Sequence, residues 1–125
     1  MGLVILDSSF VIALAQPTDK HHKKAKSYFV ADQRYVISAI TATEFMSGVS
    51  SERLEERSWT ALNLMIHQIL DVGADVARKA AAIRRSTGLK TPDAIISATA
   101  QISKAQLWTF DTKLAKATPG ARLLA

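Results

Sequence analysis

A chain of 125 residues, 48% hydrophobic and 22% charged, has the size and mixture of one globular domain over residues 1–125, which excludes the disordered and fibrous classes. It has no cysteine, so a disulfide framework, an iron–sulfur cluster and any thiolate metal site are excluded, and a reducing cytoplasm is the expected compartment. Sixteen Lys and Arg against eleven Asp and Glu give a formal charge of +5, which favours a polyanionic partner, nucleic acid first, because phosphate binding releases counterions.

Leu3-Val-Ile-Leu6 is an apolar run without polar alternation, which predicts a strand buried on both faces. The segment up to Ala15 ends in Ala-Leu-Ala, but it lacks a basic start and carries Asp7 within the apolar run, so it does not read as a signal peptide. Helical patterns follow over Ser8–Ala15 and Asp19–Ala31, the second with a basic face of Lys20, Lys23, Lys24 and Lys26. Tyr35–Ile37 reads as the second strand and Ile40–Ser50 as a helix. A further helix, Glu52 to about Ile66, carries Leu62, Met65 and Ile66 on one stripe. The third strand is placed at Ile69–Val72, and a helix over Ala74–Thr87 ends at Gly88 as its C-cap. Thr91-Pro92-Asp93 then opens a helix to about Ser103, with Thr91 as N-cap, Pro92 at the first helical position and an acid in the first turn. Leu107–Phe110 is the fourth strand, and Arg122–Leu124 a short fifth. The longest stretch free of Asp, Glu, Lys and Arg, Ser58–Leu70, is too short for a bilayer core of about 30 Å, so no membrane association is expected. Short apolar strands alternating with helices predict an α/β fold. It is a single doubly wound domain whose short parallel sheet of four to five strands is flanked by helices on both faces.

In such sheets ligands bind beyond the carboxyl ends of the strands, where the strand order reverses. Asp7 follows the first strand and Asp111 the fourth, each leading into a helix. Taken singly, each is more simply a helix-capping acid held by free backbone amides. Asp93, in a helix first turn, invites the same reading, although that turn opens toward the same edge of the sheet. Glu44 is different: it lies among small and apolar residues with no Lys or Arg between Tyr35 and Glu52. Either its helix face is solvated or it finds a cationic partner elsewhere, because burying an unpaired charge is costly. Bases are absent from residues 1–18 and 35–52 and gather in Lys20–Arg34 and Arg78–Lys90. If four carboxylates converge, their repulsion must raise pKa values or attract a divalent cation, and all-oxygen ligation suits Mg²⁺ or Mn²⁺. An acidic metal cleft on a basic chain points to phosphodiester hydrolysis.

The segments Leu3-Val-Ile-Leu-Asp7-Ser-Ser9, Thr43-Glu44, Leu89-Lys-Thr-Pro-Asp93-Ala-Ile-Ile and Leu107-Trp-Thr-Phe-Asp111 resemble, in order and spacing, those of the PIN-domain ribonucleases. Within them the chain is most similar to the VapC-type toxins of toxin–antitoxin modules, over nearly its whole length. The resemblance implies that Asp7, Glu44, Asp93 and Asp111 form the acidic quartet that holds Mg²⁺ or Mn²⁺ for RNA cleavage, Glu44 directly or through water. It implies that Ser9 is the hydroxyl supporting the first acid, and that Thr109 is the hydroxyl two residues before the last. It further implies a PIN-like fold, an RNA substrate, a homodimer and inhibition by a cognate antitoxin whose tail inserts near the acidic pocket.

The remaining side chains read more plainly. His21 and His22, adjacent on a Lys-rich helix, diverge by about 100° and read as solvated surface. His67 reads as a semi-buried histidine, Trp59 and Trp108 as packing or interface residues, and Arg84 and Arg85 as a solvated helix face. Two other functions fit the length. One is a catalytically inactive PIN-like module that binds RNA or protein. The other is a phospho-acceptor receiver domain, with Asp71 near the third strand, although Asp7 lacks the acidic neighbour that such a domain needs.

Overall fold

Residues 2–124 are described by a computed structural model. The apolar runs become the middle of a five-stranded, all-parallel sheet: β1 Val4–Leu6, β2 Tyr35–Ser38, β3 Gln68–Leu70, β4 Gln106–Thr109 and β5 Arg122–Leu123. Strand order is β3-β2-β1-β4-β5, so the chain builds outward from β1 on one side and then returns to build on the other. The helices between are α1 Ser8–Ala15, α2 His22–Tyr28, α3 Ala39–Ser47, α4 Glu52–Met65, α5 Ala74–Thr87, α6 Thr91–Ser103 and α7 Thr112–Ala117. This is the doubly wound α/β architecture expected from the alternation of strands and helices.

The period of two along each central strand divides the interior. Val4, Leu6, Tyr35, Ile37 and Trp108 point to one face, where Phe10 and Val11 of α1, Ala25 of α2 and Leu62 of α4 cover them. Ile5, Val36 and Leu107 point to the other, against Val76, Ala80 and Ile83 of α5, Ala94 and Ile96 of α6 and Leu114 of α7. A strand sealed on both sides has no use for alternation, which is why Leu3–Leu6 reads as a continuous apolar run. The edge strands need no such seal: β3 is half-buried and the two residues of β5 are exposed.

Local chemistry moves several boundaries. The helix expected over Asp19–Ala31 is only α2, because the Asp19 carboxylate accepts the His21 amide at 2.9 Å and holds the preceding chain in a turn. At the other end the Val30 amide donates to the Tyr35 hydroxyl at 2.9 Å instead of continuing the helix. Ser38 caps α3 by accepting the Ile40 amide at 3.1 Å, and that helix closes at Gly48 rather than Ser50. Thr91 is not the N-cap of α6. Lys90 holds that position, its carbonyl accepting the Ala94 amide at 2.9 Å, so Thr91 is the first helical residue and Pro92 the second. The third strand sits earlier than Ile69–Val72, because its pairing is set by the His67 amide donating to the Tyr35 carbonyl and by Val36 facing Gln68. The fourth begins at Gln106 and releases Phe110, and α7 supplies the helix expected after Asp111. Gly88 caps α5 in the left-handed region, φ 73°, as expected.

Candidate active site

The strand order reverses between β1 and β4, and Asp7 and Asp111 follow those two strands. Carboxylates therefore flank the crevice where a doubly wound sheet binds ligands. The same order disposes of the receiver arrangement. Asp71 follows β3 at the sheet edge, two strands and so about 10 Å from β1.

Asp7 is 3% exposed and fixed by three donors. Its Oδ1 accepts the Phe10 amide at 2.8 Å, which makes Asp7 the N-cap of α1. Ser9 Oγ lies 2.9 Å from both carboxylate oxygens, and Thr109 Oγ1 donates to Oδ2 at 2.5 Å. A carboxylate offers about four lone-pair directions, so three hydrogens leave one free. Burial pushes the Asp7 carboxyl above the ordinary carboxylate range, against the pull of the Thr109, Phe10 and Ser9 hydrogen bonds, and the charge of Asp93 pushes the same way.

Asp93 connects the group. Half-buried in the first turn of α6, its carboxyl is raised by burial, then by the negative charges of Asp111 and Glu44, while Lys90 and Lys113 pull it back. Asp93 thus feels the charges of Asp111 and Glu44, and Asp7 in turn feels that of Asp93. Glu44, half-buried on α3, receives the Ser8 hydroxyl on Oε1 at 2.5 Å, and Ser8 Oγ lies 3.2 Å from the buried Thr41 hydroxyl. Of the two alternatives for Glu44, a solvated face or a cationic partner, the half-buried side chain follows neither fully: its partner among the described residues is a hydroxyl. Asp111 is exposed and caps α7, its Oδ1 accepting the Leu114 amide at 3.0 Å. Its own amide donates to Thr109 Oγ1 at 2.9 Å, so one threonine hydroxyl joins the first acid to the last.

Among the described residues no three His, Asp or Glu side chains stand close enough to enclose a metal ion by themselves. The donor set is nevertheless all oxygen, and burial first, with repulsion between the acids adding to it, raises two of its members. That chemistry fits a hydrated cation held by one or two carboxylates, as Mg²⁺ is, and does not fit a dry cage.

Some of the remaining side chains depart from their sequence reading and others, Trp108 among them, keep it. Ser8 was hidden in the Ser-Ser pair beside Asp7, with no signal to tie it to Glu44. His21 and His22 are not free surface. His22 Nδ1 lies 2.8 Å from the Ala13 carbonyl oxygen, and the His21 ring stacks on Phe110 at 4.3 Å with 9° between planes. His67 is exposed and touches the Arg34 guanidinium. Trp108 is buried and meets Phe10 and Tyr35 edge-on, whereas Trp59 is exposed on α4. Arg84 and Arg85 are exposed, as a solvated helix face requires, and Arg84 Nε donates to the Leu89 carbonyl at 3.1 Å.

The PIN domain family model matches residues 4–118. No significant match to a curated protein was found. Among solved structures, a toxin–antitoxin complex from Klebsiella pneumoniae is similar at 32% identity and TM-score 0.78, covering 95% of each chain. FitAcB from Neisseria gonorrhoeae is similar at 22% identity and TM-score 0.75, with 96% of each chain covered. VapC20 from Mycobacterium tuberculosis, a sarcin-ricin loop cleaving toxin, is similar at 20% identity and TM-score 0.74, over 91% of this chain and 94% of its own. The last two likenesses are of fold alone; the VapC-type likeness expected from the motifs extends to the fold.

Proposed function

Because the chain belongs to the PIN domain family, we propose that it is an endoribonuclease dependent on Mg²⁺ or Mn²⁺ and the toxin of a type II toxin–antitoxin pair. The observation that carries this reading is the coupling of Asp93 to Asp7, Glu44 and Asp111 at the switch point of a sheet, in a chain of net charge +5. Acids gathered against their own repulsion have a use that helix capping alone does not supply.

Asp7 and Asp93 would hold the cation, with Glu44 and Asp111 reaching it through water. Such an ion, when bound, supplies charge neutralisation at the phosphoryl group and makes water a stronger nucleophile. The chain's own part is to orient. Ser9, Thr109 and the Phe10 amide leave Asp7 one open lone-pair direction, and Ser8 fixes the free end of Glu44. Lys90 and Lys113, whose charge already acts on Asp93, would meet the substrate backbone, where affinity without sequence preference resides.

An antitoxin partner is supported by the Klebsiella pneumoniae complex. We extend the reading to a homodimer in the cytoplasm. The exposed Leu54, Trp59 and Leu64 of α4, the last 83% exposed, provide apolar area that a protein partner would cover. Among the described residues no helix is long and apolar enough to cross a membrane.

The test is RNA cleavage by purified protein with Mg²⁺ or Mn²⁺, a chelator control and Asp7→Asn, with circular dichroism to confirm folding. Cleavage abolished by chelation and by the substitution is the expected result. Cleavage that survives either one refutes the site. RNA binding without any cleavage is the result that the inactive PIN-like module would give.

A further inference from the structure

We propose that the His21 imidazole is a base-stacking platform, holding one unpaired nucleobase of the RNA beside the acidic cluster; this rests on the ribonuclease reading above. A three-ring stack rooted in the site carries it. Phe10, fully buried, gives its amide to Asp7, and its ring stacks on Phe110 at 5.6 Å with 14° between planes. Phe110 stands in the chain between Thr109, which donates to Asp7, and Asp111. The Phe110 ring also stacks with the His21 ring, at 4.3 Å and 9°. Phe110 thus stacks with two rings, and the series ends at a half-buried imidazole that stacks with no further ring among the described residues.

The backbone under that imidazole is fixed before any ligand arrives. The His21 amide donates to Asp19 Oδ1 at 2.9 Å, and its carbonyl accepts the Ala25 amide at 2.9 Å. A flat ring already oriented, with one face packed, loses little freedom when a base covers the other. Lys20, Lys23 and Lys24, all exposed on the same segment, supply the positive charge that a phosphate backbone follows. The ligand class is an unpaired base in a single strand or loop, because bases within a duplex have no free face. Stacking tolerates any base, so His21 would select for unpaired structure rather than base identity.

The experiment measures binding of a short single-stranded RNA to Asp7→Asn protein, which should bind without cleaving. His21→Ala and His21→Leu should each weaken binding about tenfold, and His21→Tyr should restore it, an order that mere cover over Phe110 would not produce. Scanning one abasic nucleotide along the RNA should find a position where losing the base weakens binding as much as losing the imidazole. At that position the two changes should not add. Additive losses, or unchanged affinity in His21→Ala, overturn the proposal while cleavage by the parent protein leaves the ribonuclease reading intact. A parent that neither cleaves nor binds RNA overturns both.

Discussion

Thr109→Val isolates the hydroxyl that ties the two ends of the acidic cluster. Thr109 is fully buried, donates to Asp7 Oδ2 at 2.5 Å and accepts the Asp111 amide at 2.9 Å. Valine keeps nearly the same shape, so no large cavity opens, but a hydrogen bond to a charged group is lost, worth about 1.5–3 kcal/mol. Freeing the part-buried Asp111 amide adds up to about 1 kcal/mol, for a total of about 2–4 kcal/mol. In a domain of this size that lowers Tm by roughly 10 °C. The loss should also depend on pH. The Thr109 bond favours the ionised form of Asp7, opposing the rise that burial causes. Removing it raises the Asp7 pKa further. The destabilisation should therefore be largest above the raised Asp7 pKa and shrink toward about 1 kcal/mol in acid, where Asp7 is protonated in both proteins and only a neutral hydrogen bond differs. Urea unfolding of both proteins at alkaline and acidic pH measures this directly. Cleavage should fall about 10–100-fold, as when a partner that orients a ligand is removed, and Thr109→Ser should retain most activity. A loss below about 0.5 kcal/mol, or one equal at both pH values, would refute the assignment of Thr109 as a partner of ionised Asp7.

Two further outcomes follow from the same geometry. Asp93 is raised in the folded protein by burial and by Asp111 and Glu44, so the native state holds this proton more tightly than the unfolded chain does. Stability without metal should then fall as pH rises from the ordinary carboxylate value through the raised one, and Asp93→Asn should gain on the parent across that interval, read by thermal melting in chelator. An advantage for Asp93→Asn that does not grow with pH would contradict the repulsion. Gly88→Ala, at φ 73°, should cost about 1 kcal/mol and leave cleavage unchanged, because only the α5 cap is strained; a silent substitution there would show that the turn relaxes.

What could be read in the chain beforehand follows from which interactions are local. The central strands announced themselves through unbroken apolar runs, and the N-capping acids through their place between a strand and a helix. Because those caps fall at the carboxyl edge of a parallel sheet, the position of Asp7 and Asp111 followed from topology. The partners of the acids were another matter. Ser8 reaches Glu44 across 36 positions, and Thr109 reaches Asp7 across 102. Without the family resemblance no composition or spacing singles out one hydroxyl from the many this sequence carries. The start of α2 and the cap of α6 escaped for a smaller reason. An Asx turn at Asp19 and a backbone cap at Lys90 each displaced a boundary that propensity alone would have put elsewhere.

Capping and cation binding are often weighed as rival explanations for an acid after a strand, and here the geometry makes them one device. A carboxylate that accepts the amide of its own helix is held in a single rotamer, and with two hydroxyls added it has one direction left to offer. The cap therefore orients Asp7 as much as it stabilises α1. The capping bond lowers the Asp7 pKa, yet burial outweighs it and leaves the carboxyl raised. A divalent cation placed among Asp7, Asp93 and their neighbours would reverse that penalty, because it favours the ionised form of each. It follows that the metal should stabilise the parent against heat more than it stabilises Asp93→Asn, even though the substituted protein starts from weaker internal repulsion. The control is monovalent salt at equal ionic strength, which screens repulsion without occupying a site: a parent that gains as much from it as from the divalent ion would refute binding.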